Sequence, residues 1–212
     1  TYTRIGTRFD YGFSENKLRV TANYSRRFST TNNAFLSVNG GSSVNQFNGS
    51  NPISNLINTV STLFFKNNFM KLYEKNFVSA NFSREITNGL NMSFNAEYAE
   101  RKPLWNTTDY SVIKSDDLYS SNNPIDPNDY VTAGIDKHNL IKTSLNARIK
   151  FGQQYWTRPD GKFNIGNEKT PNIFVGYEKA FAATEKKYEY DLITARITHS
   201  LSLGNKGNLQ MN

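Results

Sequence analysis

The fold follows from one stretch of sequence, which reads VSANFSREITNGLNMSFNAEYAE from Val78 to Glu100. Apolar and polar residues alternate on both sides of its centre, and a period of two is typical of β-strands with one apolar and one wet face. The centre holds Asn88-Gly89, a dipeptide that favours the positive backbone angles of a tight hairpin turn. The stretch therefore predicts two antiparallel strands, about Val78–Arg84 and Asn91–Glu100.

The same alternation recurs along most of the chain. Turn residues at Ser14–Asn16 follow a first strand at about Ile5–Phe13, and turn residues at Gly204–Gly207 precede a last one. We expect about eight antiparallel strands of roughly ten residues, a length that crosses a bilayer and exceeds the usual soluble strand. The other clearly alternating segments are Lys17–Arg26, Ser144–Phe151 and Ile193–Leu203.

The two faces of these strands differ in chemistry. The apolar positions end in aromatic residues, as interfacial girdles do: Tyr11, Phe13, Tyr24, Phe82, Tyr98 and Phe151. The other positions interleave Ser, Thr and Asn with charged residues: Arg19, Arg84, Glu97, Arg148, Lys150 and Arg196. The pattern favours an all-β fold, an antiparallel transmembrane β-barrel with lipid outside and a hydrated, net-basic lumen inside. The alternative is an extracellular β-sandwich or an elongated sheet with one solvent face.

Composition excludes several other classes of protein. The 212 residues include no cysteine, which excludes a disulfide scaffold and a thiolate zinc site. No window approaches the 18 or so apolar residues of a membrane helix. The net charge is +7, from 25 basic and 18 acidic residues. Aromatic and basic residues alternate onto opposite faces, however, which argues against a nucleic-acid-binding platform.

The connections between strands differ in length. Short turns follow the first, third and seventh predicted strands, and long segments follow the second (about 29–76) and the fourth (about 103–137). Short turns at one side and long loops at the other are typical of barrels. The segment Gln153–Pro171 breaks this rule, because the order of the strands places this medium-length connection on the side of the short turns. It is either an elaborated turn or a sign that one strand has been missed. We expect residues 1–212 to be an internal piece of a single barrel domain, because no signal-peptide pattern starts the chain and its last residues lie inside a strand.

One stretch in the first long connection changes period. Apolar residues follow Asn51-Pro52 at helical spacing, which predicts an amphipathic helix with Asn51 as N-cap and Pro52 as its first residue, continuing towards Tyr73. We favour a helix that packs over the barrel mouth and closes a loop. The alternatives are that it plugs a lumen, lies at a membrane interface or binds a partner. The apolar positions are Ile53, Leu56, Ile57, Val60, Leu63 and Phe64.

Few residues carry a chemical signal. The 114–136 segment contains Asp116, Asp117, Asn122, Asn123, Asp126 and Asp129, whose spacing is not that of an EF-hand. A solvated loop with turn chemistry is favoured there over a calcium site. Arg158–Gly161 has the sequence of a turn, and a second interpretation pairs Arg158 with Glu97.

The chain has only two histidines, His138 and His199. They are far apart in sequence, and His199 shares its register with the apolar face. A hydrolase needs a base within hydrogen-bond reach of a nucleophile, and nothing in the sequence marks such a pair. We therefore predict no catalytic, cofactor-binding or metal-binding residue, and no cofactor.

Several segments together resemble one family. They are NQFNGSNPI at Asn45–Ile53, KLYEK at Lys71–Lys75, SREITNGL at Ser83–Leu90, EYAERKPLWNTTDY at Glu97–Tyr110 and RPDGKFNIG at Arg158–Gly166. The chain resembles the barrel of Bacteroidota outer-membrane proteins that carry a carboxypeptidase-regulatory-like domain ahead of a barrel of unknown function. The resemblance implies a signal peptide and a small β-sandwich upstream, and further strands outside this segment. It brings no established activity and no catalytic or ligand residues.

From the pattern and the resemblance we expect a protein of the cell outer membrane that serves transport or envelope assembly and is not an enzyme. Its expected partners are the lipid bilayer of the outer membrane and other outer-membrane or periplasmic proteins, with no nucleic acid. The alternatives are a TonB-dependent nutrient transporter barrel, an Omp85-type protein-insertion barrel, a membrane-embedded hydrolase and a soluble surface-fibre or adhesin domain.

Overall fold

The fold is a large antiparallel sheet with one helix, and the computed structural model describes residues 1–49, 51–113, 116–159, 161–165, 170–202, 205 and 207–211. The chain is all-β, as predicted. The strands are β1 (Tyr2–Gly12), β2 (Lys17–Arg27), β3 (Phe35–Gln46), β4 (Leu72–Thr87), β5 (Leu90–Pro103), β6 (His138–Lys150), β7 (Tyr155–Arg158), β8 (Gly161–Asn164), β9 (Asn172–Phe181), β10 (Tyr190–Ser202) and β11 (Asn208–Met211). The helix α1 is Asn55–Phe65, and a short 3₁₀ turn covers Lys186–Tyr188.

Nine strands form the main sheet in the order β1-β2-β3-β4-β5-β6-β9-β10-β11, and β7 and β8 form a separate two-stranded sheet. Every neighbouring pair is antiparallel, so successive connections alternate between two ends of the sheet. We call the end with the 47–71 and 104–137 connections the cap end, and the end with the 88–89 and 151–171 connections the hairpin end. No pairing joins β1 to β11 within the described residues, so the described sheet is open.

The hairpin expected around Asn88-Gly89 is confirmed as β4–β5, with Gly89 at φ +81°. Pairs such as Val78↔Tyr98 and Phe82↔Phe94 place the expected apolar positions on one face. Arg84 pairs with Met92, so it shares this apolar face rather than the polar one. The prediction for Arg84 is therefore wrong, because Arg84 keeps the same parity as Val78 and Phe82.

The expected count of about eight strands is too low, because β7 and β8 lie inside the 151–171 connection and one strand of the main sheet is missing from the count. That strand, β3, lies inside the supposed 29–76 loop, which also contains the start of β4. Its alternation is interrupted by Gly40-Gly41, and glycine inside a strand weakens the sequence signal. Gly41 has φ +135°, and a Cβ there would lie 2.1 Å from the Val20 carbonyl oxygen, so only glycine fits. Pairing between β2 and β3 ends at Thr21↔Gly41, and β3 continues beside β4 alone.

Counting β3 does not move the 151–171 connection to the other end. It stays at the end of the Asn88-Gly89 turn and contains the β7–β8 hairpin, so it is an elaborated connection. The turn expected at Arg158–Gly161 joins these two strands, whose pairing ends at Arg158↔Gly161. Asp160 lies outside the described residues, as do Gly204 and Lys206 of the turn expected before β11.

The predicted helix is shorter than expected. Its N-cap is Ser54, whose side chain accepts a hydrogen bond from the Ile57 N–H, whereas Asn51 has a left-handed φ of 48°. The helix ends at Lys66, also left-handed, and the chain then runs alongside the 104–137 connection into β4. In the described part of the chain no helix has the length and apolar character needed to cross a membrane.

The described residues bury few apolar side chains. Those below a tenth exposed are Ala34, Met70, Ala99, Tyr119, Ile135, Leu140 and Ala180, and most of them lie towards the cap end. The apolar face of the sheet stays open, with Ile5 74%, Phe9 66% and Ile193 76% exposed. Among the described residues, no second layer packs on this face of the sheet.

Candidate functional site: the polar face and its two ends

A row of charged side chains crosses the polar face of five neighbouring strands. Lys75 Nζ lies 2.7 Å from Glu97 Oε2, and Glu97 stands opposite Lys142 in the β5–β6 register. Lys142 Nζ in turn lies 3.6 Å from Glu178 Oε2, and the Tyr190 hydroxyl donates to Glu178 Oε1 at 2.6 Å. We call Lys75, Glu97, Lys142, Glu178 and Tyr190 the charge belt, in which opposite charges compensate one another.

A second ionic cluster lies at the cap end, where β3 has left β2. Lys17 Nζ lies 2.7 and 2.6 Å from the two Glu74 oxygens, and Arg19 donates to Glu74 at 3.0 Å. Arg19 also bonds Glu15. Only 5% of Arg19 and 2% of Glu74 are exposed. This buried cluster therefore joins β2 to β4 where the backbone pairing of β2 to β3 is missing.

Helix α1 and the 104–137 connection pack on each other and form what we call the cap. The Tyr119 hydroxyl donates within the cap, 2.9 Å from the Thr62 carbonyl oxygen, and the Val112 N–H donates to the Leu63 carbonyl at 2.8 Å. Burial raises the pKa of Tyr119. A cavity of about 260 Å³ between helix and connection is lined by the aromatic residues Trp105, Tyr110 and Tyr119 and by two asparagines.

The contacts that tie the cap to the sheet include the Lys137–Glu100 ion pair, at 3.0 Å, and the amide of Asn122. Asn122 accepts from the Leu72 N–H at 2.8 Å and donates to the Leu72 carbonyl at 2.6 Å, as a paired strand would. Lys71 donates to the Ser121 carbonyl, and burial lowers the pKa of Lys71. The helix packs on the 104–137 connection, while Leu56, Ile57 and Phe65 remain exposed.

Two acidic residues of the 114–136 segment, Asp126 and Asp129, shape turns. Asp126 accepts from the Asn128 N–H at 2.9 Å, and Asp129 accepts from the Val131 and Thr132 N–H groups. The hydrogen bond from the Thr132 backbone heads the causes that lower the pKa of Asp129. Lys114 and Ser115 lie outside the described residues. Within the described residues no three His, Asp or Glu side chains are grouped as metal ligands would be.

The two histidines lie on opposite faces of the sheet. His138 is buried on β6, its Nδ1 is 2.8 Å from the Asp136 carbonyl oxygen, and its ring stacks on Tyr188 at 3.7 Å. His199 is opposite Met211 and shares the apolar face with Leu201. The pair therefore does not form one site.

At the hairpin end, the β7–β8 hairpin is anchored over the sheet by an ion pair. Lys162 Nζ lies 2.6 Å from Glu85 Oε1, both side chains being less than a tenth exposed, and the Gly89 N–H donates to the same carboxylate. Arg158 lies over the Phe163 ring at 5.2 Å, while Glu97 pairs with Lys75. The alternative pairing of Arg158 with Glu97 is therefore absent.

A polar cavity of about 280 Å³, which we call the basic pocket, lies beside this hairpin. Sequence analysis placed Arg148 and Lys150 on the polar face but did not find the pocket. The walls come from four separate stretches, 89–91, 148–153, 164–165 and position 172, and only the fold brings them together. The lining residues are Gly89, Asn91, Arg148, Lys150, Gln153, Asn164, Ile165 and Asn172.

Comparison with known proteins gives a family without a described function. A family model described as "Family of unknown function (DUF5686) C-terminal domain" matches residues 1–212. No curated protein matches the chain, and no solved structure matches it. Over its whole length, this chain belongs to the DUF5686 family as its C-terminal domain.

Proposed function

We propose that this domain is part of an outer-membrane β-barrel that serves transport or envelope assembly without catalysis. The observation that carries the proposal is the uncovered apolar face of the nine-stranded sheet. Ile5, Phe9 and Ile193 are each more than three-fifths exposed, and apolar residues at the same parity of the central strands are exposed as well. Lipid is the surrounding that favours such a face.

The energetic argument rests on area. Apolar surface left in water forgoes about 25 cal/mol per Å² relative to burial, and a large continuous apolar patch is rare on monomeric soluble proteins. The polar face already carries ion pairs and amides, so it suits water. A sheet with one lipid-facing and one water-facing side satisfies both faces at once.

The limits of the apolar face also support a membrane position. On β4–β5 the apolar pairs run from Phe82↔Phe94 to Val78↔Tyr98. The next pairs of the same parity towards the cap end are polar, Asn76↔Glu100 and then Glu74↔Lys102. The apolar band thus ends at an aromatic residue and gives way to charged groups, as at a membrane–water interface.

The test uses the absence of native cysteine. Single cysteines are introduced at each of positions 92 to 98, and isolated membranes are treated with a water-soluble or a lipid-phase thiol reagent. We expect lipid-phase labelling at positions 92, 94, 96 and 98, because these residues share the apolar face, and aqueous labelling at 93, 95 and 97.

A soluble sheet gives a different pattern. If water-soluble reagent labels one parity while neither reagent labels the other, the apolar face is packed against protein. That result rejects the membrane proposal and favours the sandwich.

A further inference from the structure

Hydrogen bonds hold several of the stretches that line the basic pocket in place. The Lys150 N–H donates to the Gly89 carbonyl at 2.8 Å, which fixes the β4–β5 turn against the end of β6. Gln153 Nε2 donates to the Ile165 carbonyl at 2.6 Å, which ties the approach to β7 to the residue after β8. A Cβ at Gly89 would lie 2.2 Å from the Lys150 carbonyl oxygen, so the contact requires glycine. The pocket is therefore preformed.

The positive charges of the pocket are uncompensated by the described residues. Arg148 and Lys150 have no ion pair or side-chain hydrogen bond there, unlike Lys75, Lys142 and Lys162. Arg148 and Lys150 are two residues apart on β6, so their side chains leave the same face. Like charges held together on one face repel each other. A bound anion would remove that repulsion.

A third cation extends the positive surface. Phe174 lies between Arg148 and Arg196 in the registers of β9 with its two neighbours, and the Arg196 guanidinium is 5.6 Å from its ring centre. Neutral donors surround the charges, because Asn91, Asn164 and Asn172 also line the cavity. Arginine and amide groups together are the donors that recognise phosphate and carboxylate oxygens.

We infer that the basic pocket binds the phosphate or carboxylate group of a small dissolved anion. The inference deepens the proposed function and rests on it, since it names the class of solute that the water-facing side would admit. A volume of about 280 Å³ lies near the lower limit of small-molecule sites, about 300 Å³, so one anionic group with a small substituent fits.

The test is calorimetric titration of inorganic phosphate into the full protein, purified in a nonionic detergent. We expect saturable binding at one site, weakened roughly tenfold or more by Arg148→Gln or by Lys150→Gln, because each removes a charge-assisted donor. The matched control is Arg8→Gln, which removes the same charge from the same face, where Arg8 is exposed and paired with Asp10. The control should bind as the unchanged protein does.

Three outcomes overturn the inference. In the first, phosphate does not bind saturably. In the second, Arg8→Gln weakens binding as much as the pocket variants do, so that phosphate is held only by the general positive charge of the face. In the third, phosphatidylglycerol added to the micelles binds through Arg148 and Lys150 while inorganic phosphate does not, so that the site takes a lipid headgroup. Since the titration needs no membrane, its failure is separable from a failure of the cysteine-labelling test.

Discussion

Strand β4 carries one buried carboxylate near each of its ends, and the two are used differently. Glu74 lies at the cap end and receives hydrogen bonds from two cations, Lys17 and Arg19. Glu85 lies at the hairpin end and receives one cation, Lys162, and the Gly89 N–H. Its other oxygen has no hydrogen-bond partner among the described residues.

The difference is in what each carboxylate connects. Glu74 joins two strands of the main sheet beyond the point where β3 leaves β2, so the ion cluster replaces missing backbone pairing. Glu85 joins the main sheet to the β7–β8 hairpin, which is a separate two-stranded sheet. Loss of the first contact therefore affects the whole fold, and loss of the second affects an accessory element.

The largest effect is expected from Glu74→Gln. The substitution leaves the buried Arg19 without one of its two carboxylates, and breaking a buried ion pair from one side costs about 3–5 kcal/mol. We expect the free energy of unfolding, measured by denaturant titration, to fall by this amount. The control is Asp10→Asn, which breaks the exposed Arg8–Asp10 pair and should change stability by less than about 1 kcal/mol. Equal losses in the two variants would contradict a global role for Glu74.

A smaller and local effect is expected from Glu85→Gln. Lys162 loses its buried partner, but the hairpin can move away into water, which limits the cost to about 1–3 kcal/mol. Hydrogen exchange should show lost protection around residues 155–164 with β4 and β5 unchanged.

Lys162→Gln provides the matched control for that prediction. If the two residues act only on each other, the double variant should lose less stability than the sum of the single variants. Additive losses, or lost protection spreading through the whole sheet, would remove the distinction between the two ends.

The sequence predicts the strands well where apolar residues alternate without interruption. Val78–Arg84 and Asn91–Glu100 lie inside β4 and β5, and the structure extends both strands. It fails for β3, because the close approach to Val20 requires glycine at position 41, and the Gly40-Gly41 pair interrupts the period of two. It also places the helix start too early, because the Asn51-Pro52 pair matches a capping pattern that Ser54 actually fulfils.

The candidate site is less accessible to sequence reasoning. Alternation assigns Arg148, Lys150 and Arg196 to the polar face, and the registers agree. Which charges are compensated depends on cross-strand neighbours that are tens of residues away, as between Lys162 and Glu85. The basic pocket and the buried Glu74 cluster arise only once the strands are paired.

The smallest effect is expected at the helix of the cap, from Ser54→Ala. The substitution removes the hydrogen bond from the Ile57 N–H, and loss of an N-cap costs about 1 kcal/mol. Thr59→Ala in the same helix is the control, and it should be neutral or slightly stabilising because alanine favours helices. Since α1 packs on the 104–137 connection and pairs with no strand, hydrogen exchange should show fraying of α1 with β4 protected. Loss of protection in β4 would mean that α1 does not unfold independently, and that α1 and the Glu74 cluster unfold as one unit.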